Sequence, residues 1–303
     1  MRSLFLYLGL VFTGPFLFGQ SYILDLLKEP ETKSKTYTTA TFKGTRIVNG
    51  QSNETPGKGV LQFMILHRFG AFSDDFFYNF FGLDNANVRI GLDYGINDRL
   101  NIGFGRSTLL KTYDGFVKYR LLKQEENGFP FGLTAYAASF IETQKWNDNL
   151  PHNESERFSY AFQWIFTKKF NESVSLALTP SWVHFNVVDL RRQDNTIFTL
   201  GLSGRYKLTK RVSINAEYFP QINRNFREEN GEDIPYENAL SLGFDIETGG
   251  HVFQLFFSNS RAVADPHFMA RTTGKWLEGD VFFGFNISRV FTLVKPKMPE
   301  ATW

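Results

Sequence analysis

Apolar residues alternate with small or polar residues along most of the chain from residue 59 onward, so the sequence repeats with a period of two. In VRIGLDYGI (88–96), apolar side chains occupy every second position from Val88, and Arg, Gly and Asp residues lie between them. At this spacing, alternate side chains share one face of a β-strand. The same pattern recurs in segments 99–105, 157–166, 196–206, 238–246 and 279–287.

The alternation predicts about twelve strands, joined by connections that are alternately short and long. This layout is typical of an antiparallel up-and-down outer-membrane β-barrel, with short periplasmic turns and longer extracellular loops. An even number of strands returns both chain ends to the periplasmic side. The first segment, GVLQFMILHRF, is apolar on both faces, which leaves its register open. The predicted strands are 59–69, 86–96, 98–106, 112–123, 129–142, 157–168, 172–186, 195–208, 211–222, 236–247, 250–258 and 276–292.

A soluble β-sandwich also alternates, with its apolar faces meeting in a core. Three features favour the membrane barrel. Many segments are near ten residues long, which suits a tilted membrane crossing. Aromatic residues cluster toward the segment ends, as in interfacial girdles. Glycines recur on the polar face, where a crowded barrel interior requires small residues.

The N-terminus predicts export. Arg2 precedes an apolar run that ends near Phe18, the layout of a signal peptide spanning residues 1–19. An uncleaved anchor is the alternative, but Pro15 and the polar residues that follow favour cleavage. We expect a periplasmic segment over 20–58, the outer-membrane barrel over 59–293 and a periplasmic tail over 294–303.

Composition excludes several classes of function. The 33 Lys and Arg residues balance 31 Asp and Glu residues, which argues against nucleic-acid binding. The chain has no cysteine, so disulfides, thiolate zinc sites and cysteine nucleophiles are excluded. We expect no cofactor and no metal, since Asp265-Pro266-His267 offers only two ligands.

Ionisable residues recur on the polar face of the predicted strands. In a barrel they would line the interior as a charged network. They either form a selectivity lining for a small polar solute or fill the interior with salt bridges. Twelve strands lie between barrels filled by side chains and those with a wide channel, so we expect a narrow or occluded pore. The residues are Arg89, Asp93, Asp114, Lys118, Arg120, Arg205, Glu217 and Asp245.

The segment 20–58 has two interpretations. It either folds into the barrel interior and blocks it, or forms a periplasmic strap that docks an envelope protein partner. A thirteenth strand is rejected, because it would reverse the order of short and long connections.

A membrane-embedded lipid hydrolase is a weaker alternative, and we expect no enzyme. His251 and Ser258 share a predicted strand, but they are seven residues apart and face opposite sides. Gly-x-Ser-x-Gly is absent. Asp74 and Asp75 lie in an aromatic stretch with no evident histidine partner.

That stretch, FGAFSDDFFYNFFGLDN (69–85), is predicted to be the first external loop and to contain one short helix. Ser73 can cap the helix N-terminus and Gly82 can end it. On helical spacing, four aromatic side chains share a face. They would anchor the rim in outer-membrane lipid or form a lid over the barrel. The residues are Phe76, Phe77, Phe80 and Phe81.

Four segments resemble a family of outer-membrane β-barrel proteins of the Bacteroidota, defined by a domain of unknown function. The resemblance implies a Gram-negative outer-membrane barrel and transfers no activity or functional residues. We therefore expect a porin-like, narrow, loop-gated conduit for a small solute, with a scaffold or assembly role as the alternative. The segments are FKGTRIVNGQSNETPGKG (42–59), FGLDNANVRIGLDYGINDRLNIGFGRS (81–107), KTYDGFVKYRLL (111–122) and GDVFFGFNISRVFTL (279–293).

Overall fold

Twelve antiparallel strands form a closed barrel in which every strand pairs with its neighbours in the chain, and β1 pairs with β12 to complete the ring. The predicted fold class is confirmed. The strands are β1 (Val60–Ala71), β2 (Asn87–Gly95), β3 (Leu100–Ser107), β4 (Thr112–Leu122), β5 (Gly132–Glu142), β6 (Phe158–Lys169), β7 (Val174–Phe185), β8 (Thr196–Lys207), β9 (Val212–Phe219), β10 (Ala239–Thr248), β11 (His251–Ser258) and β12 (Phe282–Thr292).

The computed structural model describes residues 35–72, 77–82, 84–147, 150–188, 193–223 and 236–294. The predicted signal peptide, and the predicted tail beyond residue 294, lie outside these ranges. Within them, no helix is long and apolar enough to cross a bilayer.

The outer face of the barrel is apolar. In β2, Ile90 and Leu92 are 52% and 44% exposed, whereas Arg89 and Asp93 are buried on the inner face. This placement of apolar side chains outside and charged side chains inside is the reverse of that in a soluble protein, and it is the one expected of a barrel surrounded by lipid. Similar outward side chains continue around the ring, among them Phe104, Phe162, Trp164, Phe198, Leu202, Phe244 and Phe257.

The inner face is not polar throughout, which corrects the expected separation of the two faces. The inner side of β5 to β8 carries buried apolar residues from the middle of the strands toward the ends that meet the long loops. They pack against a helix that enters the barrel, and so form an internal core. The members include Tyr136, Phe140, Ile165, Val183, Phe185 and Ile197.

That helix, α1 (Asp265–Ala270), belongs to the connection between β11 and β12, and all six of its residues are buried. The predicted last strand, 276–292, was therefore too long at its start. Residues Trp276–Glu278 form a 3-10 helix, and β12 begins at Phe282. We name residues 259–275 the inward loop.

The connections follow the predicted alternation with one exception. Residues 108–111 join β3 to β4 at the long-loop end with only four residues, while 123–131 join β4 to β5 at the short-turn end with nine. Leu110 and Lys111 have φ of 53° and 50°, so the chain reverses there in a tight left-handed turn. The chain enters β1 and leaves β12 at the short-turn end, where Leu293 N donates to Gly59 O.

The aromatic loop between β1 and β2 is described only in part. Ser73 to Phe76 and the Phe81 side chain lie outside the described residues. The remainder is a turn followed by a 3-10 helix, Phe80–Gly82, in place of the predicted α-helix. Phe80 has φ of 44° and Gly82 has φ of 79°, values that an α-helix does not accommodate. Phe77 and Phe80 are 82% and 58% exposed.

Candidate functional site

Residues 41–53, which we name the lumen hairpin, fill the interior of the barrel from the short-turn end. Arg46 and Gln51 form an antiparallel bridge, and Ile47 N donates to Gly50 O at 2.8 Å. Asn49 at the tip has no exposed surface. At the barrel entrance, Thr38 N donates to Gln124 O in the β4–β5 turn. The chain thus passes the short-turn end, enters the lumen, reverses and returns to β1.

All eight charged residues predicted to face inward do so. Seven are buried and Arg120 is half-buried. Arg89 and Asp114 pair with each other at 2.6 and 2.8 Å, in a bidentate contact across β3. A Cβ on Gly105 would lie 2.3 Å from Arg89 Nη2, so this glycine is required for the guanidinium to fit. The pair fills the wall in the way expected of a structural salt bridge.

The other cations of the set bind the main chain of the lumen hairpin or of its flanks. Ammonium and guanidinium groups are strong donors, and carbonyl oxygens accept such charge-assisted bonds readily. The contacts are Lys118 Nζ to Thr45 O (3.0 Å), Arg120 Nε to Asn53 O (3.1 Å), and Arg205 Nη1 to Ala40 O (2.8 Å) and Thr41 O (2.9 Å).

Glu217 on β9 is an anion, and it binds N–H groups at the hairpin tip where the cations bind carbonyl oxygens. Its carboxylate accepts from three consecutive main-chain N–H groups, those of Val48 (3.2 Å), Asn49 (2.8 Å) and Gly50 (3.0 Å). Successive N–H groups that converge in this way form a nest suited to an anion. Among the described hydrogen bonds and salt bridges, none joins this buried carboxylate to a cation. The nest therefore holds it through N–H groups.

The two remaining acids support the hairpin indirectly. Asp245 Oδ1 accepts from Gln254 Nε2 at 2.8 Å, and Gln254 Nε2 also donates to Ile47 O at 2.7 Å. Asp93 Oδ2 lies 3.5 Å from Thr45 Oγ1. The predicted network therefore holds a segment of the chain itself rather than only pairing internally.

Several wall residues that contact the hairpin were missed by the sequence analysis, among them Arg68, Gln254 and Asn286. Arg68 is fully buried and donates from Nη2 to Asn49 Oδ1 at 2.7 Å. Asn286 Nδ2 donates to Val48 O at 2.9 Å. The sequence pattern could have indicated that Gln254 and Asn286 face the lumen, because each is a polar residue at an inward position of its alternating strand. It could not have done so for Arg68, because β1 is apolar on both faces.

The inward loop meets the lumen hairpin near the middle of the barrel. Arg46 Nη1 lies 3.2 Å from Asp265 Oδ1, and Gln163 Nε2 donates to Asp265 Oδ2 at 3.2 Å. Phe268 packs edge-on against Phe219, with ring centroids 5.1 Å apart. Cavities remain at both ends of the barrel, on either side of the hairpin and α1.

The cavity at the short-turn end has a volume of about 330 Å³, and Lys43, Glu54 and Glu247 are among its lining residues. Lys43 Nζ pairs with Glu247 there. The cavity at the long-loop end has a volume of about 250 Å³, and Trp146 and Arg157 are among its lining residues.

The groups considered for metal binding and hydrolysis have other surroundings. His267 Nε2 lies 3.0 Å from Glu142 Oε1, while Asp265 belongs to the contact with Arg46. Among the described residues, no group of three or more His, Cys, Asp or Glu side chains could hold a metal ion. On β11, Ser258 is buried on the inner face and His251 is on the outer face. Asp74 and Asp75 lie outside the described residues.

Comparison with protein families gives one match. The model of a family described as "Membrane bound beta barrel domain (DUF5777)" matches residues 42–291, which include nearly the whole lumen hairpin and all but the last residue of the barrel strands. No curated protein sequence matches the chain.

Solved outer-membrane barrels resemble the chain at low identity. The COG4313 outer membrane channel from Pseudomonas putida F1 is 16% identical, with a TM-score of 0.42 over 80% of this chain and 98% of that one. Salmonella typhi OmpF, solved with daunomycin, is 10% identical, with a TM-score of 0.38 over 77% and 97% of the two chains. Omp33 of Acinetobacter baumannii is 9% identical, with a TM-score of 0.38 over 78% and 100%.

Proposed function

The chain belongs to the family of membrane-bound β-barrel domains (DUF5777), and from that premise we propose that it is a narrow outer-membrane channel for a small solute, closed by its lumen hairpin. It is an outer-membrane β-barrel of twelve strands. Its proposed partners are the solute inside and outer-membrane lipid outside, and its proposed action is passive, without a chemical step.

The observation that carries this proposal is the polar character of the hairpin's attachment. Phe42 and Ile47 of the hairpin pack in a small apolar cluster with Ala177 of the wall, and Val48 is the third hydrophobic hairpin side chain that is buried. Most of the attachment is instead made by hydrogen bonds from the wall. Water can replace such bonds when the hairpin leaves, and their net free energy is typically about 0.5–1.5 kcal/mol each between neutral groups and about 1.5–3 kcal/mol each where one partner is charged. A removable plug requires this kind of contact, whereas a permanent core would bury much more apolar surface.

The size of the barrel supports the same proposal. About eight strands give an interior that side chains fill, and 16 to 18 strands leave a wide aqueous channel. The twelve strands here enclose a chain segment in addition to their own side chains. Withdrawal of that segment would expose Lys118, Arg205 and Glu217 to water along one passage. The inward loop would remain and would keep the passage narrow.

The chain entry also suits withdrawal of the hairpin. Both arms reach the lumen from the short-turn end, and Glu54 Oε1 accepts from Thr41 N at 2.9 Å, so the two arms are adjacent where they leave it. Movement toward the periplasm would not need any strand to open. We therefore propose that the periplasmic side controls the channel.

Deletion of residues 41–53, with Ala40 joined to Glu54, tests the proposal. In planar bilayers the variant should give discrete conductance, whereas the full chain should be closed for most of the time. Heat-dependent migration in gel electrophoresis would verify that the barrel has folded. A folded deletion variant that is silent at all voltages would refute the channel proposal.

A reversible control introduces two cysteines into the chain, which has none of its own. Asn49 Nδ2 lies 3.0 Å from Ser241 Oγ, so cysteines at both positions could be joined by a short thiol-reactive linker. The linked double variant should stay closed under conditions in which the same unlinked variant conducts. Equal currents from both forms would show that the hairpin does not control conduction.

A further inference from the structure

The barrel wall recognises the lumen hairpin largely through main-chain atoms. Between Ala40 and Asn53, seven carbonyl oxygens accept from wall side chains, and three N–H groups donate to Glu217. These atoms belong to every peptide, whatever its sequence. The carbonyls are those of Ala40, Thr41, Thr45, Arg46, Ile47, Val48 and Asn53.

The wall groups surround the hairpin rather than forming one patch. They come from β4, β8, β9, β11 and β12, which lie on different sides of the ring. Donors and the one acceptor are arranged along a chain segment that runs into the lumen and back. A peptide that entered the vacated lumen would meet cations and amides placed for its carbonyls, and a carboxylate placed for its N–H groups. The wall groups are Lys118, Arg120, Arg205, Glu217, Gln254 and Asn286.

We infer that the solute of this channel is a short peptide, bound in the open lumen by the wall groups that now hold the main chain of the hairpin. This inference rests on the proposed function. Main-chain hydrogen bonds supply affinity in other peptide-binding modes, and side-chain pockets add specificity. A sugar of similar size offers hydroxyl groups but lacks three successive amide N–H groups that could donate to Glu217.

Side-chain contacts explain how the hairpin competes with a free peptide. Asn49 Nδ2 donates to Ser241 Oγ at 3.0 Å, its Oδ1 accepts from Arg68 at 2.7 Å, and Arg46 reaches Asp265. The hairpin is also tethered to β1, so its effective concentration at the wall is high. A free peptide would bind only after the hairpin has withdrawn.

The test measures block of the current through the variant that lacks residues 41–53. The probes are four: an end-capped peptide TFKGTRIVNGQSN, which copies residues 41–53, a scrambled peptide of the same composition, the copied peptide N-methylated at the three amides of Val48, Asn49 and Gly50, and raffinose. N-methylation removes the donors to Glu217 while keeping every side chain.

Both the copied and the scrambled peptide should block, and the copied peptide should block more strongly because it alone keeps the side-chain contacts of Arg46 and Asn49. The N-methylated peptide should be weaker by at least about a hundredfold, since it loses three bonds to a charged acceptor. Raffinose should block weakly. In the same deletion variant, Glu217→Gln should reduce the difference between the methylated and unmethylated peptides.

The outcomes separate the two proposals. A folded variant without any current refutes the channel itself. A conducting variant that the copied peptide blocks but the scrambled peptide does not shows recognition of side chains, and overturns the inference. Equal block by the methylated peptide, or block by raffinose as strong as by peptide, would also overturn it. Glu172→Gln is the matched control for Glu217→Gln, since Glu172 is exposed outside the lumen.

Discussion

Arg46 of the lumen hairpin and Asp265 of α1 form a salt bridge at 3.2 Å, with side chains only 4% and 0% exposed. Arg46 Nη1 also donates to Asn49 O at 2.6 Å, so the guanidinium fixes the turn of its own hairpin. The pair joins two segments that enter the barrel from opposite ends. Each segment therefore holds the other in place.

Asp265→Asn should loosen the hairpin, because it leaves the charge of Arg46 buried without its anionic partner. Removal of one partner of a buried pair typically costs about 3–5 kcal/mol. We expect more frequent open events in single-channel recordings of the otherwise intact chain. The control is Glu278→Gln, which removes the exposed Lys275–Glu278 pair and should leave the recordings unchanged. Identical recordings for the two variants would contradict the linkage of the two segments.

Glu217→Gln should weaken the seating of the hairpin tip. The amide has one acceptor oxygen, and its NH₂ group would face main-chain donors that now meet a carboxylate. An unmatched buried donor costs about 1–3 kcal/mol. Cysteine placed at Asn49 should react faster with a water-soluble thiol reagent in this variant. Unchanged labelling would show that the three N–H contacts do not hold the tip.

Gly50→Val should displace the tip by steric overlap. A Cβ at position 50 would lie 2.7 Å from Phe219 Cζ, a distance that ordinary side chains do not adopt. Overpacking of this kind typically costs about 1–3 kcal/mol. Conductance should increase, and Phe219→Leu in the same chain should partly restore closure. Gly115→Ala is the control, because a Cβ there meets nothing nearer than 4.0 Å.

Phe244→Arg should destabilise the barrel in lipid. Phe244 is 47% exposed near the middle of β10, on the outer face. Arginine near the bilayer midplane of a barrel costs about 2–4 kcal/mol, and much less near the interface. Leu208→Arg, at the short-turn end, should therefore cost less in a reversible unfolding experiment in lipid vesicles. Equal costs at the two positions would place Phe244 away from the bilayer centre.

Replacement of Phe77 and Phe80 by serine tests the predicted rim anchor. Both side chains are exposed on the first long loop, which suits contact with outer-membrane lipid. The double variant should be less stable in lipid vesicles while its conductance stays equal to that of the full chain. A changed conductance with unchanged stability would instead favour the lid. Leu150→Ser, on another long loop, is the control for loss of a single exposed apolar side chain.

The alternation predicted the strands because a single strand carries the signal by itself. In β2, Ile90 and Arg89 differ in polarity at adjacent positions, so the sequence shows the two faces directly. The inward direction of Lys118 and Glu217 followed from the same pattern. Their partners did not, because Thr45 lies 73 residues from Lys118 and Asn49 lies 168 from Glu217.

The helix α1 was missed for a related reason. Its six residues, DPHFMA, are too few to show a helical repeat, and its burial depends on a core supplied by β5 to β8. Two interpretations of residues 20–58 also remained open in the sequence, since a polar segment suits water and a polar lumen equally well. The described contacts place residues 41–53 in the lumen.

The tip of the hairpin also spans the seam where the first and last strands meet. Arg68 of β1 donates to Asn49 and to Asn286 of β12, and Asn286 donates to Val48 O. The seam joins residues more than 200 positions apart, the contact with the greatest cost in chain entropy. The hairpin adds polar bonds on both sides of it. The hairpin that closes the passage therefore also helps to hold the first and last strands of the barrel together.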